Sequence, residues 1–334
     1  MLASATASIP ISWWVAFNAF VIFMLALDLG VFNRKAHVVK VREALGWTAV
    51  WIAIAMAFNV WIGWKLGMGH AKDFLAGYIL EKSLSVDNVF VFAVIFSFFK
   101  VPREYQHKVL FWGIFGALAL RAAMIAGGAA LITNFSWIIY VFAALLVYTG
   151  IKMFFHDEDS VDPGKSIAVR LLRKTMPMTD GYRGNRFVVV ENGKRMATPL
   201  LAVLVCVEVT DVIFAVDSIP AIFAITTDTF IVFTSNVFAI LGLRALYFAI
   251  AGILPYFHFL KYGLGVILVF VGVKMSLAHS AWKIDTNVSL GVIGGVLLIS
   301  TIASVIHRRL HPLPETPLEE VLEETAEKVL EEKR

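Results

Sequence analysis

Apolar runs of about 20 residues recur from one end of this sequence to the other, and each is long enough to carry a helix through a hydrocarbon core about 30 Å thick. No other feature narrows the fold as much. Within lipid every backbone N–H and C=O must be satisfied by the protein itself, which restricts spanning structure to helices and closed barrels. Apolar runs of this length read as helices. Composition agrees: 59% of the 334 residues are hydrophobic and 16% are charged, against about 25% charged in soluble domains. The expected fold class is all-α, a polytopic helical membrane protein.

Nine transmembrane helices are read, at about 12–32, 44–65, 74–99, 109–132, 136–155, 198–224, 230–252, 259–278 and 287–306. An odd number puts the termini on opposite sides. Alternate loops and the tail from 307 hold 21 Lys and Arg, and the other set holds three, Lys65, Lys72 and Lys283. Basic loops stay in the cytoplasm, so the N-terminus is expected outside and the C-terminus inside. Trp13, Trp14, Trp47, Trp64, Trp137 and Trp282 fall near span ends, where interfacial anchors sit. No basic stretch precedes the first span and no cleavage motif follows it, so it reads as a retained helix. The chain reads as a single transmembrane domain with a polar cytoplasmic loop at 156–197 and an acidic amphipathic tail at 312–334. Within the loop, FVVVENGKRM has strand-turn-strand chemistry around Asn192-Gly193. The single cysteine, Cys206, excludes an intramolecular disulfide and reads as a small buried residue.

Two of the apolar runs carry acids. EKSLSVDNVFVFAVIFSFF (81–99) holds Glu81 and Asp87, and VEVTDVIFAVDSIPAIFAI (207–225) holds Glu208, Asp211 and Asp217. A charge at the bilayer centre is unfavourable by roughly 3 kcal/mol or more, so such residues are rare and usually functional. These five read as two halves of one intramembrane site. Ser85, Asn88 and Ser218 would add neutral oxygens, and Arg121, Arg244 and Lys82 are the charge partners. A purely structural network of ion pairs would tend to balance, whereas five acids here face three central bases.

The two segments belong to a longer repetition. Glu81 precedes Asp87 by six residues, as Asp211 precedes Asp217. One span later GALALRAAM carries Arg121 and ILGLRALY carries Arg244; one span further LLVYTGIKM carries Lys152 and ILVFVGVKM carries Lys274. The offsets are 130, 123 and 122 residues. Repeat one would cover about 74–155 and repeat two about 198–278, with 12–32, 44–65 and 287–306 as extra helices. Three spans per unit is an odd number, so the second unit enters the membrane inverted, with the substrate site expected at the interface. At about 100° per residue Glu208 and Asp211 share a helix face while Asp217 points the opposite way. A break at Pro220 is expected to re-aim Asp217. Lys152 and Lys274 read as snorkelling side chains, and Asp28 as an interfacial residue or an entry-path ligand.

All eight histidines fall in loops or near span ends. Oxygen ligands without His or Cys suit hard cations, Mn2+, Mg2+ or Ca2+, over Zn2+ or Cu2+. The expected partners are a divalent metal ion and the lipid bilayer. The basic residues are accounted for by orientation and do not point to nucleic acid. No HExxH or GxSxG motif is present, and no enzyme activity is expected.

The stretches EKSLSVDNVFVF, VEVTDVIFAVDSIPAIFAITTD, FTSNVFAILGLRALYF and LKYGLGVILVFVGVKM resemble the TerC/Alx family of bacterial inner-membrane proteins, within the LysE-type transporter superfamily. The resemblance runs from about residue 20 to 305. It implies metal-ion homeostasis, chiefly Mn2+ export from the cytoplasm, with the acids at 81, 87, 208, 211 and 217 matching family acids; tellurite resistance and calcium binding are also attached to the family. No prosthetic group is expected, the metal being substrate. The expected function is a secondary transporter exporting Mn2+, with protons as candidate counter-ion. The alternative is a calcium-binding or tellurite-related membrane scaffold or sensor that transports nothing.

Overall fold

The computed structural model of the protein describes residues 9–27, 41–155, 167–191, 193–250, 259–278, 280 and 282–310. Asp28, Asn192 and the acidic tail at 312–334 lie outside them. The described chain is helical apart from one hairpin. Its elements are α1 (Ile11–Leu27), α2 (Val41–Leu66), α3 (Met68–Phe98), α4 (Arg103–Asn134), α5 (Ile138–Phe155), α6 (Ile167–Thr175), β1 (Val188–Glu191), β2 (Lys194–Ala197), α7 (Pro199–Phe223), α8 (Thr229–Leu241), α9 (Leu243–Ile250), α10 (Leu260–Ser276) and α11 (Thr286–Leu310).

Among the described residues six helices are long and apolar enough to cross a membrane: α2, α4, α5, α7, α11 and the stretch Thr229–Ala249 that α8 and α9 share. The other regions read as spans are helical but fall short on that measure. Helices α1 and α10 have 17 residues each, and α3, at 31 residues, is interrupted by Glu81, Lys82 and Asp87. The span read at 230–252 is two helices meeting at Gly242. A Cβ at Gly242 would stand 2.7 Å from Lys82 Nζ and 3.3 Å from Trp51 Cβ, so a larger residue there would displace the lysine ammonium and press on Trp51. The hairpin forms as the sequence suggests, with Glu191 opposite Lys194 and Gly193 at φ 73°. Helix α6 in the same loop had no sequence signal of its own.

Local chemistry explains the helix ends. Gly67, at φ 98°, lets the chain turn from α2 directly into α3. Helix α3 closes with a Schellman pattern: Lys100 N–H bonds Ser97 O at 2.9 Å and Val101 N–H bonds Phe96 O at 2.8 Å, with Lys100 at φ 50°. Pro102 then prevents the helix from continuing. Pro199 occupies the first helical position of α7, where its missing N–H is harmless. Asp228 caps α8 by accepting from Phe230 N at 2.9 Å and Ile231 N at 3.3 Å.

The expected break at Pro220 is absent. Helix α7 runs through it to Phe223. A proline sacrifices the bond to the carbonyl four residues earlier, but only three residues of helix follow, and Ala224 N–H still bonds Pro220 O at 3.0 Å. The proline therefore sits in a final turn and ends nothing by itself.

Helix α8 is the centre of the molecule, with every residue from Phe230 to Leu241 buried. Helix α3 packs against it, α4 packs against α7, and α5 packs against α10. The α5–α10 crossing is made by glycines. A Cβ on Gly150 would lie 2.7 Å from Gly265 O and 2.8 Å from Val269; a Cβ on Gly272 would lie 2.8 Å from both Ala143 O and Val147. These contacts run antiparallel and are reciprocal at an offset of 122: Gly150 maps on Gly272, Ala143 on Gly265 and Val147 on Val269. Small residues that let two backbones approach are the usual device of membrane helix packing. Exposed apolar side chains such as Val60, Phe115, Ile213, Leu298 and Ile299 cover the outside, a surface suited to lipid and poorly suited to water.

Candidate functional site

Four helices converge on one buried guanidinium. Arg121 of α4, 3% exposed, donates through Nη1 to Glu81 Oε1 of α3, to Asn236 Oδ1 of α8 at 3.0 Å and to Ser218 Oγ of α7 at 3.2 Å. Asn236 closes the ring by donating from Nδ2 to Glu81 Oε2 at 3.1 Å. Both Glu81 oxygens are thereby held, and the residue is fully buried. Ser85 donates to the Glu81 backbone carbonyl at 2.8 Å, which leaves its hydroxyl oxygen able to accept. The arrangement satisfies the general demand that a buried charge be paired and hydrogen-bonded.

Two further acids adjoin this ring. Asp211 of α7 is 4% exposed and stands within electrostatic reach of Arg121 and Glu81. Glu208 lies one turn earlier on the same face and within reach of Asp211. Its carboxyl rests on Gly116 of α4, where a Cβ would meet Oε1 at 1.9 Å. Among the described residues the buried acceptors Glu208 Oε2 and Asn88 Oδ1 and the buried donor Arg121 Nε have no hydrogen-bond partner. Such groups are uncommon in a folded interior.

The remaining candidates are placed elsewhere. Asp217 accepts from Thr149 of α5 at 2.9 Å, with Lys152 in electrostatic reach. With α7 unbroken, it keeps the opposite face from Glu208, so it does not join the Arg121 ring. Asp87 is half-buried on α3. Lys82 donates to the Ala239 carbonyl of α8 at 3.2 Å and does not bond the acids. Arg244 of α9 contacts His107 Nε2 at 2.9 Å, at the first turn of α4. Lys152 is exposed, whereas Lys274 is 8% exposed and among the described residues its Nζ has no hydrogen bond. Its neighbours in electrostatic reach include Asp73 and Asp285. Among the described residues no three His, Cys, Asp or Glu side chains converge as a ready metal site.

Asn236 and Thr149 are the residues bonded to the candidate acids that sequence reasoning did not single out. Asn236 had a signal: an amide within the apolar run FTSNVFAIL, eight residues before Arg244. Thr149 had none, because a hydroxyl in a membrane helix can bond its own backbone.

At one end of the bundle, Asp73 of α3 accepts from Thr286 of α11 at 3.1 Å, and His70 stands 3.6 Å from Asp228. At the other end the loop domain docks through Tyr182, whose hydroxyl donates to the Phe99 carbonyl at 2.7 Å. Burial pushes that phenol from 10.0 up to about 12.

The profile described as "Integral membrane protein TerC family" matches residues 66–311. An uncharacterized membrane protein of Myxococcus xanthus is 54% identical over 299 residues, covering 90% of this chain and 93% of the relative. A protein of Escherichia coli named "Putative membrane-bound redox modulator Alx" is 48% identical over 298 residues, covering 86% and 92%. An uncharacterized membrane protein of Rickettsia bellii is 41% identical over 297 residues, covering 89% and 98%. No solved structure matches the chain.

Proposed function

This chain belongs to the TerC family of integral membrane proteins, and from that premise we propose that it is a secondary transporter exporting a divalent cation, specifically Mn2+, from the cytoplasm. The observation that carries the reading is the charge imbalance of the buried ring. Glu81 and Asp211 face one guanidinium, Arg121, with Glu208 in reach of Asp211, and among the described residues two buried oxygens of the same helices, Glu208 Oε2 and Asn88 Oδ1, have no hydrogen-bond partner. Carboxylate and amide oxygens in excess of cations suit a hard divalent ion. Arg121 holds Glu81 while no metal is bound, and the incoming cation competes for the same oxygens.

Alternating access is the second half of the proposal. The reciprocal glycine contacts between α5 and α10, and the pairings of α3 with α8 and α4 with α7, support two inverted three-helix units within a nine-span protein. Rocking one unit against the other would carry ligands from α3 and α7 into and out of register. On this reading Asp87 and Asp217 complete the ligand set in other states. Lys and Arg bias supports an N-terminus outside and a C-terminus in the cytoplasm of a bacterial inner membrane. Clustered carboxylates also exchange protons for metal, so the counter-ion is proposed to be H+. The E. coli relative is named for redox modulation; this chain has one cysteine, buried in α7, and so holds no dithiol couple of its own.

The test is Mn2+ flux into sealed proteoliposomes. Asp211→Asn and Asp87→Asn should each reduce flux at least about ten-fold, the scale of one lost charged ligand interaction. Flux unchanged in both variants would sink the site assignment, and flux indifferent to a pH gradient would remove the proton. Wild-type vesicles that bind Mn2+ without moving it would favour the scaffold or sensor.

A further inference from the structure

A cavity of about 340 Å3 opens between α3, α9, α10 and α11, away from the Arg121 ring. Tyr78, Lys82 and Ser83 line it from α3, with Leu246, Leu260 and Leu297 among the opposing residues. Its volume falls at the lower end of the range for small-molecule sites, about 300–1,000 Å3. The walls are mostly aliphatic, yet α3 presents two donors to them one helical turn apart. Tyr78 is 5% exposed, and among the described residues its hydroxyl has no hydrogen-bond partner. Lys82 carries three N–H groups; its ammonium donates to the Ala239 carbonyl at 3.2 Å, and among the described residues no carboxylate pairs with it. The adjacent acid, Glu81, is taken by Arg121 and Asn236.

An ordinary acyl chain would fill the cavity but leave the Tyr78 hydroxyl and the remaining Lys82 N–H groups unmet, and a buried unsatisfied polar group is unfavourable by about 1–3 kcal/mol. A neutral carbonyl would meet the hydrogen bonds and leave the ammonium uncompensated in a low-dielectric site. A carboxylate does both. It has two oxygens that accept from Lys82 and Tyr78, it neutralises the charge, and its chain occupies the aliphatic walls. We infer that this crevice is a binding site for a single-chain lipophilic carboxylate, of the fatty-acid class, held by Lys82 and Tyr78.

The experiment uses the full chain in detergent micelles and equilibrium binding of tritiated palmitate, with palmitate methyl ester and decylubiquinone as neutral competitors. Palmitate should bind saturably, with one equivalent per chain. The ester and the quinone should compete at least about ten-fold more weakly than unlabelled palmitate, as loss of a charge-assisted contact predicts. Lys82→Met should weaken palmitate by about ten-fold or more without lowering the thermal unfolding midpoint, since it removes an unpaired buried charge. Leu297→Trp fills the cavity from α11 and should abolish binding with Lys82 still present. Equal competition by the neutral compounds, or unchanged affinity in a folded Lys82→Met or Leu297→Trp variant, would overturn the assignment. Absence of saturable palmitate binding to the wild type would do the same.

Discussion

Replacing Arg121 by Met tests the central ring most directly. Arg121 is 3% exposed and Glu81 fully buried. The substitution keeps the apolar stem and removes every donor that Glu81 Oε1, Ser218 Oγ and Asn236 Oδ1 share. Glu81 would retain only Asn236 Nδ2, at 3.1 Å. Breaking a buried ion pair from one side is destabilising by about 3–5 kcal/mol, because a charge is left without compensation. Neutralising the orphan should recover much of that loss. The double variant Arg121→Met with Glu81→Gln is expected to be more stable than Arg121→Met alone by at least about 1 kcal/mol, the coupling typical of residues in one network. Unfolding in mixed micelles, followed by circular dichroism for the wild type, both single variants and the double, gives the cycle. If Arg121→Met lies within about 1 kcal/mol of the wild type and Glu81→Gln does not change it, the two residues are not a buried coupled pair and the reasoning about the ring fails.

Four other outcomes follow from the same geometry. Gly116→Ala would place a Cβ 1.9 Å from Glu208 Oε1, so it should displace that carboxylate and depress Mn2+ flux while lowering stability by no more than about 1–3 kcal/mol; unaltered flux would show that Glu208 takes no part. Gly150→Ala and Gly272→Ala each press a Cβ to within 2.8 Å of a backbone oxygen across the α5–α10 crossing, and each should cost about 1–3 kcal/mol by overpacking, readable as a lowered thermal midpoint. Thr149→Val removes the 2.9 Å bond to Asp217; its effect, about 1 kcal/mol, should add to that of Arg121→Met within about 0.5 kcal/mol, because the two sites share no partner. Tyr182 is a neutral phenol whose folded value is raised, so its contribution is complete below pH 10.0 and is lost as pH rises towards about 12. Loop docking, followed by a fluorophore on the hairpin, should therefore weaken across that window in the wild type, and the alkaline step should vanish in Tyr182→Phe.

The sequence by itself determined the material and its periodic plan. Apolar runs dictate helices, because lipid supplies no partners for a backbone, and the acids within them are visible because nothing else in those runs is charged. The β1–β2 hairpin and the need of a buried acid for a cationic partner were legible for the same reason: each depends on local chemistry or on a charge that must be compensated. Tertiary structure decided which acid goes where. Helix phase puts Asp217 opposite Glu208, and only the course of α7 past Pro220 shows that the phase is kept, so Asp217 bonds Thr149 and stays out of the ring. Asn236 enters the ring because α8 is enclosed by its neighbours, a consequence of packing that a polar residue in an apolar run does not announce. The division between α8 and α9 was hidden likewise, since Gly242 has an ordinary φ of −84° and the approach of Lys82 and Trp51 to it comes from other helices. Periodicity is a property of one helix. Which faces meet depends on the close contacts of several at once, and those are fixed only when the helices are assembled.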